Sequence, residues 1–209
     1  MNIEVLLSFL SASIILTIMP GPDNIFVLTE SITKGKKTGI AISFGLATGV
    51  LVHTIAAATG LSIIIQKSAI AFSVIKYIGA GYLFYLAFIA LKDKKSLIDL
   101  KTKTPNADKN FFQLMRKGFF MNVLNPKVAL FFLAFLPQFI NLNGFKVEYQ
   151  MIILGLIFML QTIIIFCILA ILTGKLATVI NSPRFWKISK WSKASILSIL
   201  GITLILSKK

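Results

Sequence analysis

Six apolar runs, separated by polar segments, dominate the pattern of hydrophobic and polar positions. They cover about residues 4–32, 39–65, 70–91, 117–141, 149–173 and 194–207. Runs of about 20 apolar residues can cross the hydrocarbon core of a bilayer as helices. Lipid permits only helices or closed barrels, and these runs lack the alternation of a barrel strand. The pattern predicts an all-α polytopic membrane protein with about six transmembrane helices, in one domain over residues 1–209.

Proline interrupts the first run and the fourth. The interrupting segments consist of Pro20, Gly21, Pro22, Asp23 and Asn24 in the first run, and of Asn125, Pro126 and Lys127 in the fourth. Proline lacks an N–H group and its ring clashes with the preceding turn, so a helix must break there. In a membrane, a break is tolerated only where protein or a water-filled cavity surrounds it. A charged residue at that depth usually marks a path for a substrate or an ion.

The two interruptions indicate an internal repeat. Pro20 and Pro126 are 106 residues apart, and the same offset places the second run on the fifth but the third only partly on the sixth. We therefore predict two three-helix repeats, residues 1–92 and 114–209, joined by a polar linker at 93–113. An odd number of helices inverts the second repeat, and matching breaks in inverted repeats indicate a binding site near the membrane midplane. Coincidence is the alternative, because proline is common in membrane helices.

Composition and charge agree with a membrane protein and predict its orientation. The chain is 56% hydrophobic and 14% charged, with a net charge of +15. Sixteen of the 22 Lys and Arg residues follow the first, third or fifth run. The positive-inside rule places these segments, including 93–113, in the cytoplasm and both termini outside, although two C-terminal lysines oppose it. The basic charge thus reflects orientation, and we expect no nucleic-acid partner.

The charged residues at the breaks suit a zwitterion. Asp23 can bind an ammonium group or a proton, and Lys127 can bind a carboxylate or pair with Asp23. The helix that begins after Pro22 presents free N–H groups to an anion. In the structural alternative, Asp23 caps that helix while Lys127 snorkels or forms a salt bridge. His53 could relay a proton, but such a histidine is more often neutral and hydrogen-bonded.

A few other residues in the runs have simple structural explanations. Gly45 and Gly49 favour close helix packing, with a homodimer contact as the alternative. Glu30 is positioned for a salt bridge with Lys34 one turn later. Lys76 is within snorkelling reach of the membrane interface.

The segment 20–28 resembles the opening motif of the LysE/RhtB family of amino-acid exporters. Residues 39–62, 76–86 and 119–139 are similar to the family's second, third and fourth helices, so the resemblance covers about residues 4–142 and weakens afterwards. It is greatest to the homoserine, threonine and neutral amino-acid branch, with Ala87 where a glycine is expected. The resemblance implies a multi-pass protein of the bacterial cytoplasmic (inner) membrane that exports amino acids, driven by the proton gradient. The break residues would bind the substrate, and Asp23 or His53 would couple protons.

Two other functions are weaker alternatives. A divalent-metal exporter needs several Asp, Glu, His or Cys ligands within its helices, and only Asp23, Glu30 and His53 are available. The single Cys167 also excludes an internal disulfide and a cysteine metal cluster. A lipid-modifying enzyme needs clustered nucleophiles, acids or metal ligands, and no such cluster is visible. We therefore expect a transporter without a cofactor or catalytic residues, whose partners are an amino acid and the lipid bilayer.

Overall fold

A computed structural model describes residues 2–92, 110–173, 176 and 182–207. The regular structure of these residues is helical. The helices are α1 (Ile3–Ile18), α2 (Pro22–Lys34), α3 (Lys36–Lys67), α4 (Ala69–Lys92), α5 (Phe111–Val123), α6 (Pro126–Phe139), α7 (Val147–Ile171) and α8 (Pro183–Leu206). Helices α1 and α2 meet at 58° and α5 and α6 at 50°. Counting each bent pair as one span gives six candidate membrane spans. The predicted polytopic all-α fold, with its first and fourth helices broken, is confirmed.

The local sequence explains both breaks. Gly21 is extended, with φ −154° and ψ −178°, and precedes Pro22 at the first position of α2. Asn125 takes the capping position of α6, where its side-chain oxygen accepts a hydrogen bond from the Lys127 N–H at 3.0 Å, and Pro126 occupies the first position of the helix. Proline suits that position because its missing N–H group has no intrahelical partner there. Pro22 and Pro126 thus both occupy the first position of a half-helix, whereas the predicted repeat pairs Pro20 with Pro126. The inverted repeat itself stays a prediction.

Two helices begin earlier than the apolar runs indicate. Helix α5 begins at Phe111. It is capped by Asn110, whose side chain accepts a hydrogen bond from the Phe112 N–H at 3.4 Å. Helix α8 begins well before residue 194, because the Ser182 hydroxyl accepts a hydrogen bond from the Phe185 N–H at 3.1 Å. Basic residues in the first turns interrupt the apolar pattern without interrupting the helices. Residues 93–109 of the predicted cytoplasmic linker lie outside the described residues.

Helix α3 is central and packs against both α5 and α7. A Cβ atom on Gly45 would lie 1.9 Å from the Met115 carbonyl oxygen, and one on Gly49 would lie 2.7 Å from the Asn122 Cβ. These glycines let the backbones of α3 and α5 approach closely. Their predicted role in packing is confirmed, and it is intramolecular. Helix α4 packs against α8, and α7 also contacts α1 and α2.

Buried aromatic rings surround the centre of the molecule. Phe131 packs on Phe9 and Phe158 with ring centroids 5.8 and 5.3 Å away. Phe131–Phe135 forms a π-helical turn within α6, and Ala57–Leu61 forms another within α3. The apolar pattern does not predict either turn, because π-helical and α-helical turns bury similar side chains.

Two charged residues away from the breaks have structural partners. The predicted pair between Glu30 and Lys34 forms at 2.7 Å, and Lys117 lies 3.8 Å from the same carboxylate. Lys76 is buried and donates a hydrogen bond to the Ser207 carbonyl at 2.8 Å. The Lys76 ammonium thus caps the carbonyl end of α8, and its reach to the membrane interface stays a prediction.

Candidate functional site

The two breaks meet inside the protein. The Asn125 side-chain NH₂ group donates a hydrogen bond to the Asp23 carboxylate. Asp23 is 3% exposed and Asn125 is 5% exposed. A carboxylate from the first broken helix thus contacts an amide from the second, which brings the two breaks together.

Lys127, which belongs to the second break, forms hydrogen bonds with backbone carbonyls at the first break. Its ammonium donates hydrogen bonds to the carbonyls of Leu16 at 3.0 Å and Met19 at 3.5 Å. The last carbonyls of a helix lack intrahelical partners and carry its negative dipole end. A lysine in the first turn of α6 opposes that helix's own dipole. The carbonyl end of α1 compensates for this unfavourable position.

Asp23 and Lys127 occupy equivalent positions, each directly after the first-turn proline of its half-helix. In the described part of the chain, ion pairs within 4.0 Å join Glu30 to Lys34 and Lys117, whereas Asp23 and Lys127 are not that close. Asp23 also does not cap α2, because Gly21 takes the capping position. The site therefore holds two opposite charges that are near each other but bound to different partners.

Hydrogen bonds of the predicted residue Asn24, and of three polar residues that the sequence analysis did not select, complete the site. The three are Thr17, Gln161 and Thr162. The Asn24 side chain donates to the Thr17 carbonyl at 2.9 Å. The Gln161 side chain donates to the hydroxyls of Thr17 at 2.9 Å and Thr162 at 3.0 Å. The end of α1 is thus held by side chains from α2, α6 and α7. Gln161 and Thr162 lie in the middle of an apolar run, which is the signal that could have identified them.

A small cavity lies between the two breaks. Its polar lining residues are Thr17, Asp23, Asn122, Lys127 and Thr162. The volume that the centre of a water molecule can occupy there is about 10 Å³, so the cavity holds about one water. An amino acid does not fit, so the structure is closed around the site.

The remaining predicted binding residues differ in their placement. Gly21 is buried, and a Cβ atom there would lie 3.5 Å from the Lys127 ammonium. The side chains of Pro22 and Pro126 are exposed, so these prolines shape the backbone without facing the small cavity. Pro20 lines a second, larger cavity together with Asn24.

His53 lies beside the site but does not line the small cavity. Its Nε2 atom is 3.2 Å from the Asn122 carbonyl oxygen, and its ring is 5.7 Å from that of Phe132. This placement matches the hydrogen-bonded histidine that the sequence favours. The proton-relay role is not tested.

The described residues do not supply a metal site. Within residues 2–92, 110–173, 176 and 182–207, no three His, Cys, Asp or Glu side chains come together as metal ligands. The divalent-metal alternative therefore has no ligand set in this part of the chain.

Charged residues at two facing helix breaks, inside a polytopic helical membrane protein, are typical of the binding sites of secondary transporters. The model of the family described as LysE type translocator matches residues 14–208. The chain belongs to this family. It is a translocator of the exporter type and a multi-pass protein of the bacterial inner membrane.

Individual relatives cover nearly the whole chain. The uncharacterized membrane protein YrhP of Bacillus subtilis is 35% identical over 204 residues, which cover 94% of this chain and 96% of YrhP. The homoserine/homoserine lactone efflux protein of Salmonella typhimurium is 28% identical, covering 98% of this chain and 97% of its own length. The protein of the same name from Salmonella typhi is 29% identical with the same coverage. No solved structure matches the chain.

Proposed function

We propose that the protein exports amino acids from the cytoplasm in exchange for protons, through the site where the two breaks meet. The observation that carries this proposal is the burial of Asp23, Asn125 and Lys127 together at that meeting point. Two relatives named homoserine/homoserine lactone efflux proteins support an amino-acid substrate.

The substrate's two charges match the two charged residues. The Asp23 carboxylate binds the ammonium group, and the Lys127 ammonium binds the carboxylate. The first N–H groups of α2 add further donors for the carboxylate, since no side chain caps this half-helix. In α6 the Lys127 N–H already donates to the Asn125 side-chain oxygen at 3.0 Å. A charge-assisted hydrogen bond is about twice as strong as a neutral one.

In the closed structure each charged residue has a partner within the protein. Asn125 binds Asp23, and the carbonyls of Leu16 and Met19 bind Lys127. These partners form hydrogen bonds with the buried charges while no substrate is bound. Without them, each buried charge would be unpaired, which is energetically costly. Substrate binding replaces them, so the site must open as the substrate enters. The bends of 58° and 50° at the breaks are where the half-helices can change direction.

Asp23 provides the coupling to protons. Its carboxylate can hold either the substrate ammonium or a proton, and the two compete for the same oxygens. A proton arriving from outside displaces the ammonium there, and loss of that proton to the cytoplasm prepares the site for the next substrate. The proposed step assigns the proton to Asp23 rather than to His53, since His53 does not line the small cavity.

Efflux from proteoliposomes tests the proposal. Vesicles loaded with labelled homoserine, threonine, leucine or lysine are diluted into buffers with and without a pH gradient, and protein-free vesicles serve as controls. We expect faster efflux of at least one amino acid with protein, and a further acceleration by the gradient that a protonophore removes. If no amino acid leaves faster than from protein-free vesicles, the substrate class is wrong. If efflux occurs at the same rate with and without the pH gradient, the proposed proton coupling is wrong.

A further inference from the structure

A second cavity lies on the other side of the first break. It has a volume of about 480 Å³, within the usual range for small-molecule sites. Helices α1, α2, α7 and α8 all contribute to its walls, with Leu28, Leu169, Phe185 and Ile188 among the apolar lining residues. We call it the apolar cavity.

The apolar cavity begins where the charged site ends. Met19, Pro20 and Asn24 of the first break line it. A Cβ atom on Gly21 would lie 3.5 Å from the Lys127 ammonium and 3.8 Å from the Asn24 side-chain oxygen. Only the width of one glycine thus separates Lys127 from a residue of the cavity wall. The apolar cavity therefore adjoins the charged site at Gly21 and Asn24.

The chemistry of the lining restricts what the cavity can hold. The described residues that line it include no Lys, Arg, Asp or Glu, and their polar members are Asn24, Ser189 and Ser192. The Asn24 side-chain oxygen is buried and lacks a hydrogen-bond partner, while its NH₂ group is bound to Thr17. A charged group would lose its hydration here without gaining a counter-charge. An apolar group with at most one or two hydrogen-bonding atoms fits best.

We infer that the apolar cavity binds the side chain of the transported amino acid, and that the substrates are neutral amino acids with large aliphatic or aromatic side chains. The inference rests on the proposed function, since the cavity adjoins the proposed site for the charged groups. Leucine, methionine and phenylalanine are the expected substrates. Lysine is excluded by its charge, and homoserine leaves most of the cavity unfilled.

A pair of tryptophan substitutions on α8 tests this assignment. Ile188 lines the cavity and is 64% exposed, whereas Ile199 does not line it and is 60% exposed. Ile188→Trp should partly fill the cavity and lower leucine efflux about 10-fold, while homoserine efflux changes by less than about 2-fold. Ile199→Trp should leave both rates unchanged. Ser192→Phe fills the cavity from another position and should repeat the selective loss.

The outcomes separate this inference from the proposed function. Wild-type protein that exports leucine at least about 10-fold faster than lysine, together with the selective losses above, supports the inference. It is overturned if lysine and leucine leave at the same rate, or if both cavity variants reduce leucine and homoserine equally. It is also overturned if neither variant changes efflux, because the transported side chain would then not occupy the cavity. Absence of any amino-acid efflux by the wild type would instead overturn the proposed function.

Discussion

Replacement of Lys127 by methionine separates substrate binding from helix capping. Methionine has a similar length but no charge and no donor. The variant leaves the carbonyls of Leu16 and Met19 without the hydrogen bonds they accept at 3.0 and 3.5 Å. Each unsatisfied buried acceptor costs about 1–3 kcal/mol, partly offset because an ammonium is no longer buried. We expect a net loss of about 1–3 kcal/mol in the free energy of unfolding, or a fall in Tm of roughly 2–12 °C.

Lys76→Met is the matched control. Lys76 is also a buried lysine in a membrane helix, and it donates to the carbonyl of Ser207 at 2.8 Å, at the end of α8. Its removal should lower the Tm by a similar amount. Lys76 is not among the residues that line either the small or the apolar cavity, so its substitution should preserve transport.

The effect on transport should differ sharply between the two variants. A charge-assisted hydrogen bond contributes about 1.5–3 kcal/mol, so loss of the Lys127 contact to a substrate carboxylate should weaken binding about 10- to 150-fold. The substrate concentration for half-maximal efflux in proteoliposomes measures substrate binding. Thermal unfolding in detergent measures stability on the same preparations. Equal stability losses with wild-type transport in Lys127→Met would show that this lysine only caps α1.

Three further predictions follow from the packing, the hydrogen bonds and the charge pattern. Gly45→Ala places its Cβ 1.9 Å from a carbonyl oxygen of α5, so the yield of folded protein in size-exclusion chromatography should collapse, whereas Gly81→Ala, with no atom within 4 Å, should not change it. His53→Gln can still donate to the carbonyl at the end of α5 and should retain efflux within about 3-fold; loss of only the proton-driven part would establish a relay instead. A cysteine at Thr102, with Cys167 replaced by serine, should resist an impermeant thiol reagent in intact cells, and ready labelling would reverse the topology.

The fold could be predicted from the sequence because its main determinants are local. A long apolar run is a membrane helix wherever it occurs, and proline breaks a helix whatever surrounds it. The breaks at residues 20–22 and 126 were therefore predictable, and so were the buried charges beside them. The starts of α5 and α8 were less predictable, because capping by Asn110 and Ser182 extends the helices beyond the apolar runs.

The partners of the charged residues could not be predicted, because they depend on tertiary packing. Gln161 reaches Thr17 across 144 positions of sequence, and Lys127 reaches the Leu16 carbonyl across 111. The pattern also does not distinguish a lysine that snorkels from one that caps a neighbouring helix, as Lys76 shows. The apolar cavity is likewise invisible in the sequence, since its lining residues resemble any other lipid-facing or core residues.

Proton-driven efflux by Asp23→Asn, compared with Glu30→Gln, tests the central claim most directly. Asp23 and Glu30 both belong to α2 and are both buried, but Glu30 is paired with Lys34 and lies away from the breaks. Both variants should be assayed in proteoliposomes at matched protein levels with the best wild-type substrate. We predict that Asp23→Asn loses proton-driven efflux while Glu30→Gln stays within about 2-fold of wild type. Wild-type efflux by Asp23→Asn would contradict the account and place the transport site elsewhere.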